Sequence, residues 1–244
     1  MSSVPFGTLL VDRADGVATI TLNRPRALNA MNPEFLDDLT AAVDEVLSDD
    51  TVHAIVLAAA GRAFCAGGDM KLMASGAYDN LQNPLGNTRE IIRWSKLAVT
   101  MYESPKPIVA AVQGYAVGGG CALVSVCDLV IAAEDARFAL FFIRRGLMAD
   151  LCADYVVPRA LRMNRAKEML YTGKQIDAHE AQRIGLVHRV VPNEQLLQSA
   201  TELASRMATT SSRKFGSIKQ VLHDSLRMDL RTNLRAEANA QART

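Results

Sequence analysis

The chain has 244 residues, 49% hydrophobic and 22% charged, with a formal net charge of +1 at pH 7. This balance excludes a disordered chain and offers no polybasic field for nucleic acid or an anionic membrane. No apolar run approaches the roughly 18 residues of a membrane span, MSSVPFGTLLVDRADG lacks the pattern of a secretory leader, and QART is no peroxisomal or lipidation signal, so a cytoplasmic protein is expected.

The first predicted strand is GVATITLNRP (Gly16 to Pro25), rich in Val, Ile and Thr and ended by Asn-Arg-Pro. A helix then opens with Asn32 as N-cap and Pro33 at its first position. Leu36, Leu39, Val43 and Val46 recur every three or four residues and give it one apolar face. AIVLAAA (Ala54 to Ala60) predicts a buried strand running into the glycine-punctuated loop GRAFCAGGDMK. Residues 74–87 read as irregular. The next helix has Ile91, Ile92, Leu97, Ala98 and Met101 as its expected inner face, and Pro105 and Pro107 stop it. Ile108 to Val112 is a short strand that leads through AVGGGCALVSVCD, a triple glycine and a helix-like stretch, to a further strand, LVIAA (Leu129 to Ala133).

From Pro158 onward helical patterns dominate. They cover Asn164 to Tyr171, Asp177 to Ile184 closed by Gly185, Asn193 to Met207, and one amphipathic helix over Phe215 to Thr244; the strand LVHRVV precedes the third. The reading is an α/β fold, with a core over 1–190 for binding and catalysis and a helical region over 191–244. The four cysteines form no CxxC pair and read as buried free thiols.

Neither glycine loop is a phosphate-binding fingerprint. Each follows a short strand, and the triple glycine leads into a helix, whose free N–H groups favour negative charge. Each loop alone reads as a tight turn. Two amides converging from separate loops are what an oxyanion hole needs.

ITLNRPRALNAM (Ile20 to Met31), GRAFCAGGDMK (Gly61 to Lys71), the segment from Lys106 to Phe138, and LYTGKQIDAHEAQRIGLVHRVV (Leu170 to Val191) together resemble the crotonase, or enoyl-CoA hydratase/isomerase, superfamily, in order and over nearly the whole chain. The resemblance implies a spiral of repeated ββα units and a helical C-terminal region that forms a trimer or a dimer of trimers. It implies an oxyanion hole from the N–H groups of Gly68 and Gly119, holding the thioester oxygen of an acyl-CoA. It places the CoA arm near Arg26, Ala27 and Leu28, Ala66, and the turn of Asp69, Met70 and Lys71. Arg26 and Lys71 are then phosphate partners or solvated surface cations. No separate cofactor is expected, because coenzyme A enters as part of the substrate.

The hydratase pattern has two glutamates, and here their positions are occupied by Ala122 and Phe142, both apolar. Arg144-Arg145-Gly146-Leu147 followed by Asp150 instead resembles the isomerase-like branches, which makes Asp150 the expected catalytic acid–base; its other reading is the N-cap of the following helix. Asp154 reads as solvent-facing and Cys152 as structural. Shifting a double bond from the 3 to the 2 position of an enoyl-CoA needs one such carboxylate, with Phe138, Leu140, Phe141 and Phe142 as an apolar wall. The alternatives are hydration or another reaction of the family (lyase or hydrolase), and an acyl-CoA binder without catalysis.

Overall fold

A computed structural model describes residues 6–75 and 84–242 of the chain. Its larger sheet has six strands in the order β1 (Leu9–Ala14), β2 (Val17–Leu22), β3 (Ala54–Ala59), β4 (Ile108–Val112), β6 (Leu129–Ala133) and β9 (Arg189–Val191). β1 and β2 form an antiparallel hairpin, and every later pairing is parallel. A smaller sheet joins β5 (Tyr115–Val117), β7 (Arg137–Ala139) and β8 (Ile176–Asp177). Chain order explains the pair of sheets. After β4 the chain turns at Gly114 and gives β5 to the small sheet. After β6 it turns again and gives β7. Each turn of the spiral thus adds one strand to each layer.

Parallel strands covered on both faces carry few polar residues, and alternation along each strand divides them between two cores. Ile20, Leu22, Ile55, Leu57, Ala110, Val112, Val130 and Ala132 face one core with α1 (Pro33–Ser48). Val56, Ala58, Val109, Ala111, Ile131 and Ala133 face the other, which is closed by α8 (Leu196–Ala208) through Leu196, Ala200, Leu203 and Ala204, one helical stripe. α1 begins as its sequence predicts: the Asn32 side chain accepts from Phe35 N at 2.9 Å, and Pro33 occupies the first turn. At its far end the buried Lys106 ammonium donates to the carbonyls of Val46 (2.8 Å) and Asp49 (2.7 Å), a cation placed where helix carbonyls lack partners.

Three expectations are corrected. Of the residues expected on the inner face of α3 (Pro84–Tyr102), Leu97, Ala98 and Met101 are buried, while Ile91 and Ile92 are 38% and 54% exposed. The irregular stretch expected over 74–87 is bounded by α2 (Met70–Ala74) and by α3, which already starts at Pro84; residues 76–83 lie outside the described residues. The single C-terminal helix is two, α9 (Ser212–Ser225) and α10 (Leu230–Gln241). The break is set by Asp229, whose carboxylate accepts from Arg231 N at 3.0 Å and Thr232 N at 3.1 Å and starts a new helix.

α9 is pinned to the body by one buried ion pair. Lys219, 5% exposed, places Nζ 2.9 Å from Asp128 Oδ1 and also donates to Met101 O at 3.2 Å. The C-terminal helices also carry exposed Ile218, Leu222, Leu226, Leu230 and Leu234. Among the described residues no helix is long and apolar enough to cross a membrane.

Candidate active site

The two glycine loops meet through the small sheet. Cys65 forms a parallel bridge with Ala116 of β5, and Met31 forms one with Gly68, so the turn after β2, the 65–68 loop and β5 lie side by side. Contact is close enough to require glycine. A Cβ at Gly120 would lie 2.3 Å from Cys65 O, which real atoms do not tolerate, and one at Gly67 (φ 82°) would lie 2.8 Å from Val117 O. Gly120→Ala is therefore expected to cost about 1–3 kcal/mol by overpacking and to spread the two loops. Chemical denaturation reads the first effect, and loss of turnover without loss of fold reads the second.

The same contacts aim two amides. Met31 N–H donates to Gly67 O at 2.8 Å. Because a trans peptide is planar, with N–H opposed to C=O, the N–H of Gly68 must point the other way, away from Met31. Gly118 O accepts from Ala122 N at 3.0 Å inside the first turn of α4 (Gly119–Ser125), so the N–H of Gly119 points out of that helix's N-terminal end. Among the described residues neither amide forms a hydrogen bond. The two loops touch here: a Cβ at Gly67 would lie 3.4 Å from Gly119 N. Thioethers flank both amides. Cβ positions built on Gly119 and Gly68 lie 2.9 Å from Met31 Sδ and 3.4 Å from Met73 Sδ.

The same Cβ position on Gly119 is 3.5 Å from Leu151 Cδ1, which brings the residue after Asp150 against the triple glycine. Asp150 is not an N-cap. Leu151 and Cys152 both adopt positive φ (49° and 59°), so α5 (Ala153–Ala160) starts only after Cys152. The Asp150 carboxylate is left free of that duty. Among the described residues its Oδ1 is buried with no hydrogen-bond partner, and burial pushes the carboxyl up to about 6. A carboxyl with one buried oxygen left over and poised near neutrality has the titration expected of a general base. Ala122 is fully buried and Phe142 is 8% exposed, so both positions are apolar interior.

The remaining predicted residues fall around this centre. Arg26 and Ala27 lie in a 3-10 turn (Pro25–Ala27). Leu28 O accepts from Ala66 N at 3.0 Å, which joins the 26–28 segment to Ala66. Arg26, Met70 and Lys71 are exposed. Asp69 is engaged on both oxygens: one accepts from Leu72 N at 3.3 Å, capping α2, and the other pairs with Arg24 at 3.3 Å. Sequence reading missed Arg24 and Asn29. Asn29, fully buried, accepts from Arg24 N at 2.7 Å and donates to Ala60 O (2.9 Å) and Ala63 O (2.8 Å). Asn29 itself adopts a left-handed φ of 53°, after Leu28 at 52°, and Asn, a residue that tolerates this conformation, was the one available signal. Cys65 and Cys121 are buried free thiols held up at about 12 by desolvation, Cys127 is buried likewise, and Cys152 is half-buried; Asp154 is exposed. Among the described residues no cluster of His, Cys, Asp or Glu is placed to hold a metal ion.

The family model described as enoyl-CoA hydratase/isomerase matches residues 12–244. A protein named "Probable enoyl-CoA hydratase" from Rhizobium meliloti is 38% identical over 234 residues, 95% of this chain and 87% of that protein. The 1,2-epoxyphenylacetyl-CoA isomerase of Escherichia coli is 34% identical over 231 residues, 93% of this chain and 86% of that one. The crystal structure of an enoyl-CoA hydratase/isomerase from Cupriavidus metallidurans superposes with a TM-score of 0.91 at 32% identity, covering 98% of this chain and 89% of the other.

Proposed function

Because the chain belongs to the enoyl-CoA hydratase/isomerase family and has its crotonase fold, we propose that it moves the double bond of an enoyl-CoA from the 3 to the 2 position, with Asp150 as the single acid–base and the N–H groups of Gly68 and Gly119 as the oxyanion hole. The observation that carries this is the Asp150 carboxylate, whose Oδ1 is buried with no partner among the described residues, directly before Leu151, which lies against the triple glycine, while Ala122 and Phe142 are apolar.

In the forward step the Asp150 carboxylate takes a proton from C2 of the 3-enoyl thioester. The C–H electrons move into the C2–C1 bond, and negative charge collects on the thioester oxygen. Two fixed donors stabilise that dienolate, each worth roughly 10²–10³ in rate. The carboxylic acid so formed delivers its proton to C4. The carbonyl is restored, the double bond now joins C2 and C3, and Asp150 is again a carboxylate. Water addition would need a second polar group to hold and deprotonate the water, and the two apolar positions supply none. Arg26 and Lys71 are exposed and would meet the CoA phosphates, with Ala27, Leu28, Ala66 and Met70 along the arm. The exposed apolar residues of α9 and α10 support association of copies through the C-terminal region, as a trimer or a dimer of trimers.

Relatives named as hydratases make hydration the competing reaction. Purified protein is given a 3-enoyl-CoA and, separately, a 2-enoyl-CoA. Migration of the double bond, read by the absorbance of the conjugated thioester, with little hydration of the second substrate, is the expected result. Hydration at an enzyme's rate would overturn the isomerase reading, and tight binding with neither reaction would make the protein an acyl-CoA binder.

A further inference from the structure

The orientation of Gly68 rests on Met31, which lies on the connection between β2 and α1 and not on the loop of Gly68 itself. Its N–H bonds to Gly67 O at 2.8 Å and its carbonyl accepts from Asp69 N at 2.9 Å, so Gly68 is strung between two bonds to one residue. Both ends of that arrangement are gripped by the Arg24 guanidinium. One of its nitrogens donates to the carbonyl of Ala30, the residue before Met31, and the other pairs with Asp69 at 3.3 Å, the residue after Gly68. Arg24 is itself fixed, since its backbone N–H donates to the buried Asn29 side chain and its carbonyl accepts from Asn29 N at 3.0 Å. Arg24 and Asp69 are about one-fifth exposed. A planar fork can span two acceptors at fixed spacing, which a lysine cannot do.

We propose that Arg24, through its pair with Asp69, is a positioning residue that sets the direction of the Gly68 N–H. This rests on the reading of Gly68 and Gly119 as oxyanion donors. It also reassigns Asp69 from a contact of the CoA arm to a part of the brace.

The test uses a dialkylaminocinnamoyl thioester of CoA, a chromophore whose absorption moves to longer wavelength when its carbonyl accepts hydrogen bonds. Bound to the wild-type protein it should shift to the red. Arg24→Gln and Asp69→Asn should both reduce that shift and lower kcat by about 10- to 100-fold, as misplaced catalytic groups do, while KM changes little. Asn at 69 can still cap α2, so this variant removes the pair and keeps the helix. The double variant should be no worse than either single one, and Arg24→Lys should recover only part. A full red shift and wild-type kcat in both single variants would overturn the brace, and so would a change in KM alone on Asp69→Asn, which is the signature of a CoA contact. A wild-type protein that shows the shift but moves no double bond would overturn the isomerase reading only, and the size of the shift then decides the brace. No shift in the wild type would overturn the donor reading and this inference with it.

Discussion

Asp150→Asn is expected to lower double-bond migration by about 10²–10⁴-fold and, in the same molecule, to raise stability at neutral pH. The activity loss follows from the mechanism, because an amide cannot accept the C2 proton. The gain in stability follows from linkage. Burial moves this carboxyl from 3.8 to about 6 in the folded protein. Between those values the folded state binds more protons than the unfolded one. Stability is therefore greatest below the unfolded value, falls as pH rises, and the loss is complete above about 6. An ionised Asp150 thus costs the fold up to about 3 kcal/mol at pH 7. Asn removes that cost, less the penalty of burying an amide whose own donors need partners. For the wild type, kcat/KM should rise with pH through about 6 and then level off, since the base must be ionised to act. Rates against pH and melting temperatures of the two proteins check all of this. Migration at the wild-type rate in the variant would remove Asp150 from the reaction. Inactivity combined with a lower melting temperature would mark it as a structural residue instead.

What the sequence made visible, and what it hid, divides by distance along the chain. Local signals were readable: Asn32-Pro33 starts α1, Gly185 ends α7 (Ala178–Ile184), and both glycine loops sit at strand ends as expected. The start of α5 was not, because the left-handed residues that delay it are Leu151 and Cys152, and no glycine marks either position. The break before α10 was hidden for a similar reason. No Gly or Pro interrupts Leu226 to Asp229, and the only cue is an Asp three residues ahead of a Thr. The exposure of Ile91 and Ile92 contradicts their apolar spacing, since periodicity shows that a helix has an apolar face but not how much of its length meets a core. Nothing local singled out Arg24, because its partner Asp69 is 45 residues away. Asp128 and Lys219 lie 91 residues apart, and nothing in either neighbourhood announces a buried pair.

That pair carries the second large effect. Lys219→Met should destabilise the protein by about 3–5 kcal/mol, the cost of leaving a buried charge without its partner. Asp128 sits between α4 and β6, where its Oδ2 accepts from Ile108 N at 2.8 Å and from Lys219 Nζ at 3.0 Å. Burial already pushes its carboxyl up, and the Lys219 ammonium is the main influence holding it down. Without the ammonium the carboxyl is expected to take up a proton or to draw water in, and either response loosens α9. The consequences reach beyond α9. His223, one turn after Lys219, stacks on Tyr102 with ring centroids 4.0 Å apart; Tyr102 meets Tyr155 edge-on at 6.1 Å; and Tyr155 lies on α5, the helix that follows Asp150. Release of α9 should therefore show in three measurements: a lower denaturation midpoint, faster amide exchange in α9 than in the β3–β4 core, and a fall in turnover smaller than that of Asp150→Asn. Adding Asp128→Asn to Lys219→Met should recover most of the lost stability. The Asn oxygen can still accept from Ile108 N, and no unpaired charge remains to be buried. If Lys219→Met costs less than about 1 kcal/mol, the value of an exposed pair, or if the second substitution makes matters worse by its full independent cost, then α9 is held by packing and not by this charge pair.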